Sequence, residues 1–133
     1  MLQVALPRLR LDRNQVIQAL LNLGRNAIQA VGARGRIVLR ARALTNASIG
    51  SRRYRIVASI QVEDDGPGVP SELEDTVFYP LVTGRKGGTG LGLAVAQDLV
   101  GRHDGLIEFE SRPGRTVFTI LLPFDNHESH EAA

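Results

Sequence analysis

The chain has 133 residues, 43% of them hydrophobic and 23% charged, which is one folded domain's worth and far from a disordered composition. The absence of Cys excludes a disulfide scaffold, a thiol nucleophile and a thiolate metal site. The apolar runs are only a few residues long, so neither a transmembrane helix nor a signal-peptide core is expected, and the domain reads as cytoplasmic. Net charge is only +2, with Lys86 the single lysine. Arg34, Arg36, Arg40, Arg42, Arg52, Arg53 and Arg55 fall in one stretch without an acid. With Tyr54 its only aromatic, that stretch reads as a solvated strand face rather than a nucleic-acid groove.

Residues 1–11 are a short basic and apolar lead-in. Asp12 is a good N-cap for a helix running to about Val31. Val16, Ile17, Leu20, Leu23, Ala27, Ile28 and Val31 recur at helical spacing, with Gln15, Gln18, Asn22, Arg25, Asn26 and Gln29 placed on the opposite side. Gly32 and Gly35 end the helix. A strand follows over 36–43, with Ile37, Leu39, Ala41 and Ala43 on one face, then a polar hairpin loop over 44–53. The next strand, 54–64, alternates Tyr54, Ile56, Ala58, Ile60 and Val62 against Arg55, Ser59, Gln61 and Glu63. One more step of that alternation puts Asp64 on the apolar face, where a carboxylate needs a partner.

Ser71 and Glu74 have the spacing of a capping box for a short helix ending near Phe78. Residues 79–90 are a loop with Pro80 and several glycines. A second long helix is predicted from about Leu91 to His103, apolar at Leu91, Val95, Leu99 and Val100, with Gly105 as its stop. His103 at that helix end reads as structural, a cation facing the dipole. Strands 106–110 and 116–122 pair across Pro113-Gly114, and the tail 124–133 is polar, its His127 and His130 without assigned roles. The order of helix, two strands, short helix, glycine loop, helix and two strands implies an α+β fold, an α/β sandwich whose mostly antiparallel or mixed sheet packs helices on one face.

Three constellations carry chemistry. In Glu63–Pro70 the strand ends at Asp64, and Gly66 and Gly68 let the backbone turn tightly; this is either ordinary turn chemistry or a buried acceptor for the amine of a purine. In Gly84–Leu93, Gly88, Gly90 and Gly92 lead into a helix, so free N–H groups and the positive helix end converge on an anion site flanked by Arg85 and Lys86. No Lys-Ser/Thr follows the last glycine, so this is not a Walker loop, and no strand leads into it as a dinucleotide fingerprint requires. In the first helix, Asn22 and Asn26 are four apart and project alike. A solvated face would favour Glu or Lys there; two amide oxygens suit a magnesium ion held mainly by phosphates and water.

Taken together and in this order, the motifs resemble the ATP-binding domain of sensor histidine kinases, within the superfamily of gyrase, Hsp90, histidine kinases and MutL. "LLNLGRNAIQAV" looks like the N box, "DDGPG" the first glycine box, "FYPLV" the F box and "GGTGLGLAVAQDLV" the second glycine box. "TVFYPLVTGRKGGTGLGL" is similar in particular to the nitrogen-regulation kinases of the NtrB type. The resemblance covers residues 12–123 and implies a Bergerat-type fold, with residues 1–123 as the catalytic domain. It implies ATP and magnesium as cofactors and ADP as product. Asp64 would bind the adenine amino group, with Gly66, Gly68 and Val69 shaping the pocket and Thr116 beside it. Asn26 would be the magnesium ligand, with Asn22 and Arg25 near the phosphates. Thr83, Gly88, Thr89, Gly90, Leu91, Gly92 and Leu93 would form the lid and the phosphate-binding helix start. Phe78 would anchor the lid base, and Arg85 and Lys86 would meet phosphate charge.

Departures from the family pattern refine this. Gln29 stands where a phosphate-binding Lys is common, and Asp65 replaces the Asn of Asp-Asn-Gly. Relatives that hydrolyse ATP carry a Glu base at the position of Asn22, and a neutral amide cannot take a proton from water, so fast hydrolysis is not expected. The implied reaction is γ-phosphoryl transfer to a histidine. No histidine precedes His103, so the acceptor would lie on a dimerisation domain of the parent kinase, of which this chain reads as the excised, monomeric catalytic part. A response regulator is an indirect partner and a PII-type signal protein a further one; nucleic acid and membrane are not expected. A serine kinase of the anti-sigma type, complete at this length, is the alternative.

Overall fold

The computed structural model describes residues 12–79 and 92–123. Residues 1–11, 80–91 and 124–133 lie outside the described residues, and with them most of the loop expected over 79–90 and Thr83, Arg85, Lys86, Gly88, Thr89, Gly90 and Leu91.

Helix α1 spans Arg13–Val31, capped by the Asp12 carboxylate, which accepts the Gln15 N–H at 3.2 Å; it is closed by Gly32 (φ 68°), whose N–H returns to the Ile28 carbonyl. A single 3-10 turn (Gly32–Arg34) leads into β1 (Ile37–Ile49) and β2 (Arg52–Asp64). A second 3-10 turn (Ser71–Thr76) follows, and then α2 (Gly92–Gly101), β3 (Leu106–Arg112) and β4 (Arg115–Pro123). The four strands form one sheet in the order β1-β2-β4-β3, every neighbouring pair antiparallel. Both helices cover one face. The core between them holds Leu23 and Ala27 of α1, Val100 of α2, Val62 of β2, and Phe118 and Ile120 of β4.

Several expectations are corrected here. Residues 44–53 are strand, not loop: β1 and β2 continue in register to a two-residue turn at Gly50-Ser51. Ile49, Tyr54, Val57 and Leu121 form a second apolar cluster that holds this extension together. Along β1, Leu39 shares the helix-side face with its partner Val62 yet is 62% exposed, because it lies on an edge strand that α1 barely reaches. On α1 the buried line is Ala19, Leu23 and Ala27, whereas Ile17 and Ile28 are 46% and 60% exposed and Asn22 is buried. α2 packs along the flank that carries Asn22, so the apolar flank bearing Ile17 and Ile28 is the one left open. On α2 the buried residues are Ala96 and Val100, and Val95 is exposed.

The Ser71 capping box does not form. As a 3-10 turn closes i to i+3, the Pro70 carbonyl accepts the Leu73 N–H at 2.8 Å and no side chain caps the turn. At the end of α2 it is Asp104 (φ 60°), not Gly105, that takes the left-handed conformation, while the Gly105 N–H closes back onto the Val100 carbonyl. His103 is structural: Nδ1 bonds the Leu99 carbonyl at 2.8 Å and Nε2 the Asp12 N–H at 3.0 Å, tying the end of α2 to the start of α1.

The arginine stretch is exposed along the β1–β2 hairpin. Arg40 and Arg115 both reach Glu63, at 2.6 and 3.4 Å. The hydrogen bond from Arg40, together with the charge of Arg115, holds the Glu63 carboxyl below its ordinary value of 4.5. A lowered carboxylate stabilises the folded state above its unfolded value and loses that contribution as pH falls through the folded one. Stability measured by urea denaturation should therefore fall with acid from pH 4.5 downward, less steeply in Glu63→Gln; because the pair is solvated, the difference is small. Identical slopes for the two proteins would contradict this.

Candidate functional site

The last residue of β2 is Asp64, 2% exposed beneath the helix layer. Its Oδ1 accepts the Gly66 N–H at 2.9 Å, so the carboxylate shapes the turn that follows it. The turn and binding readings of Asp64 are therefore compatible: one oxygen of a buried acid is fixed in direction by its own backbone. Asp65 points away from it. Its Oδ1 accepts the Arg36 N–H at 2.9 Å, and its own N–H goes to the Arg36 carbonyl, so the extra charge is spent at the foot of β1.

The turn 64–69 is clamped from two sides. On the sheet side, Thr116 lies directly opposite Asp64 in the β2–β4 register and opposite Ser111 in the β3–β4 register. Thr116 Oγ1 and Ser111 Oγ are 2.8 Å apart, and Ser111 Oγ accepts the Val69 N–H at 2.7 Å. The Gly66 carbonyl accepts the Gly114 N–H at 2.8 Å, bringing in the β3–β4 turn. Gly68 sits at φ 92°, and a Cβ there would lie 2.9 Å from the Arg112 carbonyl, so both conformation and space demand glycine. On the helix side, a Cβ on Gly66 would meet the Ala30 carbonyl at 2.8 Å; the turn thus lies against the last turn of α1.

Asn22, Asn26 and Ala30 follow one another at i, i+4 along α1 and so share one face. Ala30 touches the Gly66 turn, and at the other end the Asn22 Nδ2 donates to the Gly92 carbonyl, at 3.2 Å, where α2 begins. Asn26, half-buried, lies between them. Eight residues of helix rise about 12 Å. A single helix face therefore joins a buried acceptor at one end to the glycine-led start of a second helix at the other, and Leu93 is partly buried in the core beside it. Arg25 and Gln29 are exposed on α1.

Phe78 meets Phe109 and Phe118 edge-on, with ring centroids at 5.9 and 6.1 Å, in the last described turn before the lid. Among the described residues no group of three or more His, Cys, Asp or Glu could hold a metal. A cation here would need ligands beyond the protein. Ser111 was missed from sequence, and it is the group that fastens Val69 to the sheet.

The family model described as "Histidine kinase-, DNA gyrase B-, and HSP90-like ATPase" matches residues 11–126. The sensory histidine kinase/phosphatase NtrB of Escherichia coli O157:H7 is 52% identical over 120 residues, covering 90% of this chain and 34% of its own length. This chain thus spans about a third of that relative. Among solved structures, the catalytic domain of the histidine kinase ThkA superposes with a TM-score of 0.72 at 31% identity, covering 87% of this chain and 70% of that one. Full-length ShkA in complex with AMPPNP gives 0.68 at 28% identity, covering 85% of this chain and 22% of that one.

Proposed function

Because the chain belongs to the histidine kinase-, DNA gyrase B- and HSP90-like ATPase family, we propose that it holds ATP along the Asn22–Asn26–Ala30 face of α1 and gives up the γ-phosphoryl group to a histidine on a separate domain. The observation that carries this reading is the continuity of that face between the Asp64 turn and the first residue of α2. Asp64 accepts from the adenine amino group, with Thr116 beside it and Gly66, Gly68 and Val69 forming the wall. The N–H groups that open α2, at Gly92 and Leu93, face the phosphates; Thr83, Arg85, Lys86, Gly88, Thr89, Gly90 and Leu91 complete the proposed nucleotide site from outside the described residues. Residues 1–123 form this domain and 124–133 a tail.

Asn26 would hold the magnesium ion through its amide oxygen, the remaining ligands coming from phosphates and water. Bound there, the ion supplies charge neutralisation on the transferring group. Asn22 is neutral, and its amide bonds Gln18 and Gly92 at 2.9 and 3.2 Å. It cannot serve as a base toward water, which disfavours hydrolysis. A histidine nitrogen attacks through its own lone pair, so positioning and charge suffice. The similarity to NtrB supports nitrogen regulation as the setting, with a dimerisation and phosphoacceptor domain and a response regulator as partners of the parent; a PII-type protein as a further partner and a monomeric isolated domain complete the proposal. The relatives named above are histidine kinases, which favours a histidine over a serine acceptor.

Calorimetric titration tests the purine assignment. ATP should bind at least about tenfold more tightly than GTP, whose carbonyl oxygen would face the Asp64 carboxylate with no proton between them. Equal affinities would overturn it.

A further inference from the structure

Gln18 stands one helical turn before Asn22 on α1, at the surface. Its Nε2 donates to Asn22 Oδ1 at 2.9 Å, while Asn22 Nδ2 donates to the Gly92 carbonyl at 3.2 Å. The directions in this relay are set by chemistry. A backbone carbonyl can only accept, so Asn22 must turn its nitrogen toward Gly92 and its oxygen toward Gln18, and Gln18 must then present its own NH₂ group. Side-chain pairs at this spacing ordinarily end in solvent and contribute little. This one ends on the backbone of another element, through a buried amide that is 8% exposed.

The two elements are in ordinary van der Waals contact at that junction: a Cβ on Gly92 would stand 4.0 Å from the Asn22 Cβ. The position of the first turn of α2 is therefore tied to the orientation of one amide on α1. We propose that Gln18 is a positioning residue for the phosphate end of the site: by orienting Asn22 it fixes the start of α2 against the Asn26 face, and so sets affinity for the phosphates without touching the nucleotide. This rests on the ATP reading above. The adenine end is held independently by the Asp64 turn and its sheet partners, which Gln18 does not reach.

Three substitutions separate this role from general stability. Gln18→Glu keeps the shape but turns the donor into an acceptor, so that a carboxylate competes with the Gly92 carbonyl for the Asn22 nitrogen. Gln18→Lys keeps a donor, and Gln18→Ala removes the group. The probes are ADP and adenosine, titrated against the 133-residue chain, with circular dichroism and thermal midpoint as the fold control. ADP affinity should fall about tenfold in Gln18→Glu and about threefold in Gln18→Ala, and recover to within about twofold in Gln18→Lys, while adenosine affinity stays constant in all three. An unchanged ratio of ADP to adenosine affinity in Gln18→Glu, or in Gln18→Ala if the former does not fold, overturns the role of Gln18 and leaves the ATP reading standing. Failure of the unsubstituted chain to bind either probe overturns both.

Discussion

Replacing Asp64 by Asn should lower ATP affinity at least tenfold while the domain stays folded. The substitution keeps an oxygen able to accept the Gly66 N–H, now at 2.9 Å from Oδ1, so the turn survives. What it removes is the charge of a carboxylate that is 2% exposed. Hydrogen bonds to charged groups contribute about 1.5–3 kcal/mol, and an amide that turns its NH₂ group toward the adenine amine sets donor against donor. Calorimetry that finds the affinity within twofold of the unsubstituted domain would remove Asp64 from the purine site.

Phe118→Ala carries the largest expected cost in stability. Phe118 is 2% exposed; it stacks on Phe109 with centroids 5.3 Å apart at 17° and meets Phe78 edge-on. Truncating a buried Phe costs about 3–5 kcal/mol, through lost transfer energy and the cavity left behind. Domains of this kind have about 5–15 kcal/mol in total, so the urea midpoint should drop by a large fraction. The same change removes one of the two rings against which Phe78 packs at the entry to the lid. A loss under about 1 kcal/mol would mean that the aromatic trio is not the keystone described here.

Much of the fold was legible because local signals agreed with the tertiary outcome. Asp12 and Gly32 bound α1 as their chemistry predicts, and the alternation along β2 placed Asp64 beneath the helices. Other features depended on packing that no local pattern records. α1 carries apolar residues on more than one side, and the docking of α2 on the Asn22 flank decided which of them are covered. The strand character of 44–53 comes from register with β2 and from the contacts of Ile49, Tyr54 and Val57, not from its own polar composition. Ser71 was offered a cap by its spacing, but Pro70 already supplies the acceptor in a 3-10 turn. Ser111 was within reach of reasoning: counting outward from the Pro113-Gly114 turn pairs Arg112 with Arg115 and therefore Ser111 with Thr116. Its bond to Val69, however, depends on where the Gly68 turn lies in space.

The central claim is that this domain binds ATP and passes its γ-phosphoryl group to a histidine supplied by another domain. The direct measurement uses γ-labelled ATP, first with the domain alone and then with a separately purified histidine hairpin. The account predicts negligible label on this chain and slow phosphate release when it is alone, since Asn22 offers no base and docking is missing, followed by acid-labile label on the hairpin once it is added. Strong acid-labile label on the domain by itself, or efficient phosphate release without any partner, would contradict it.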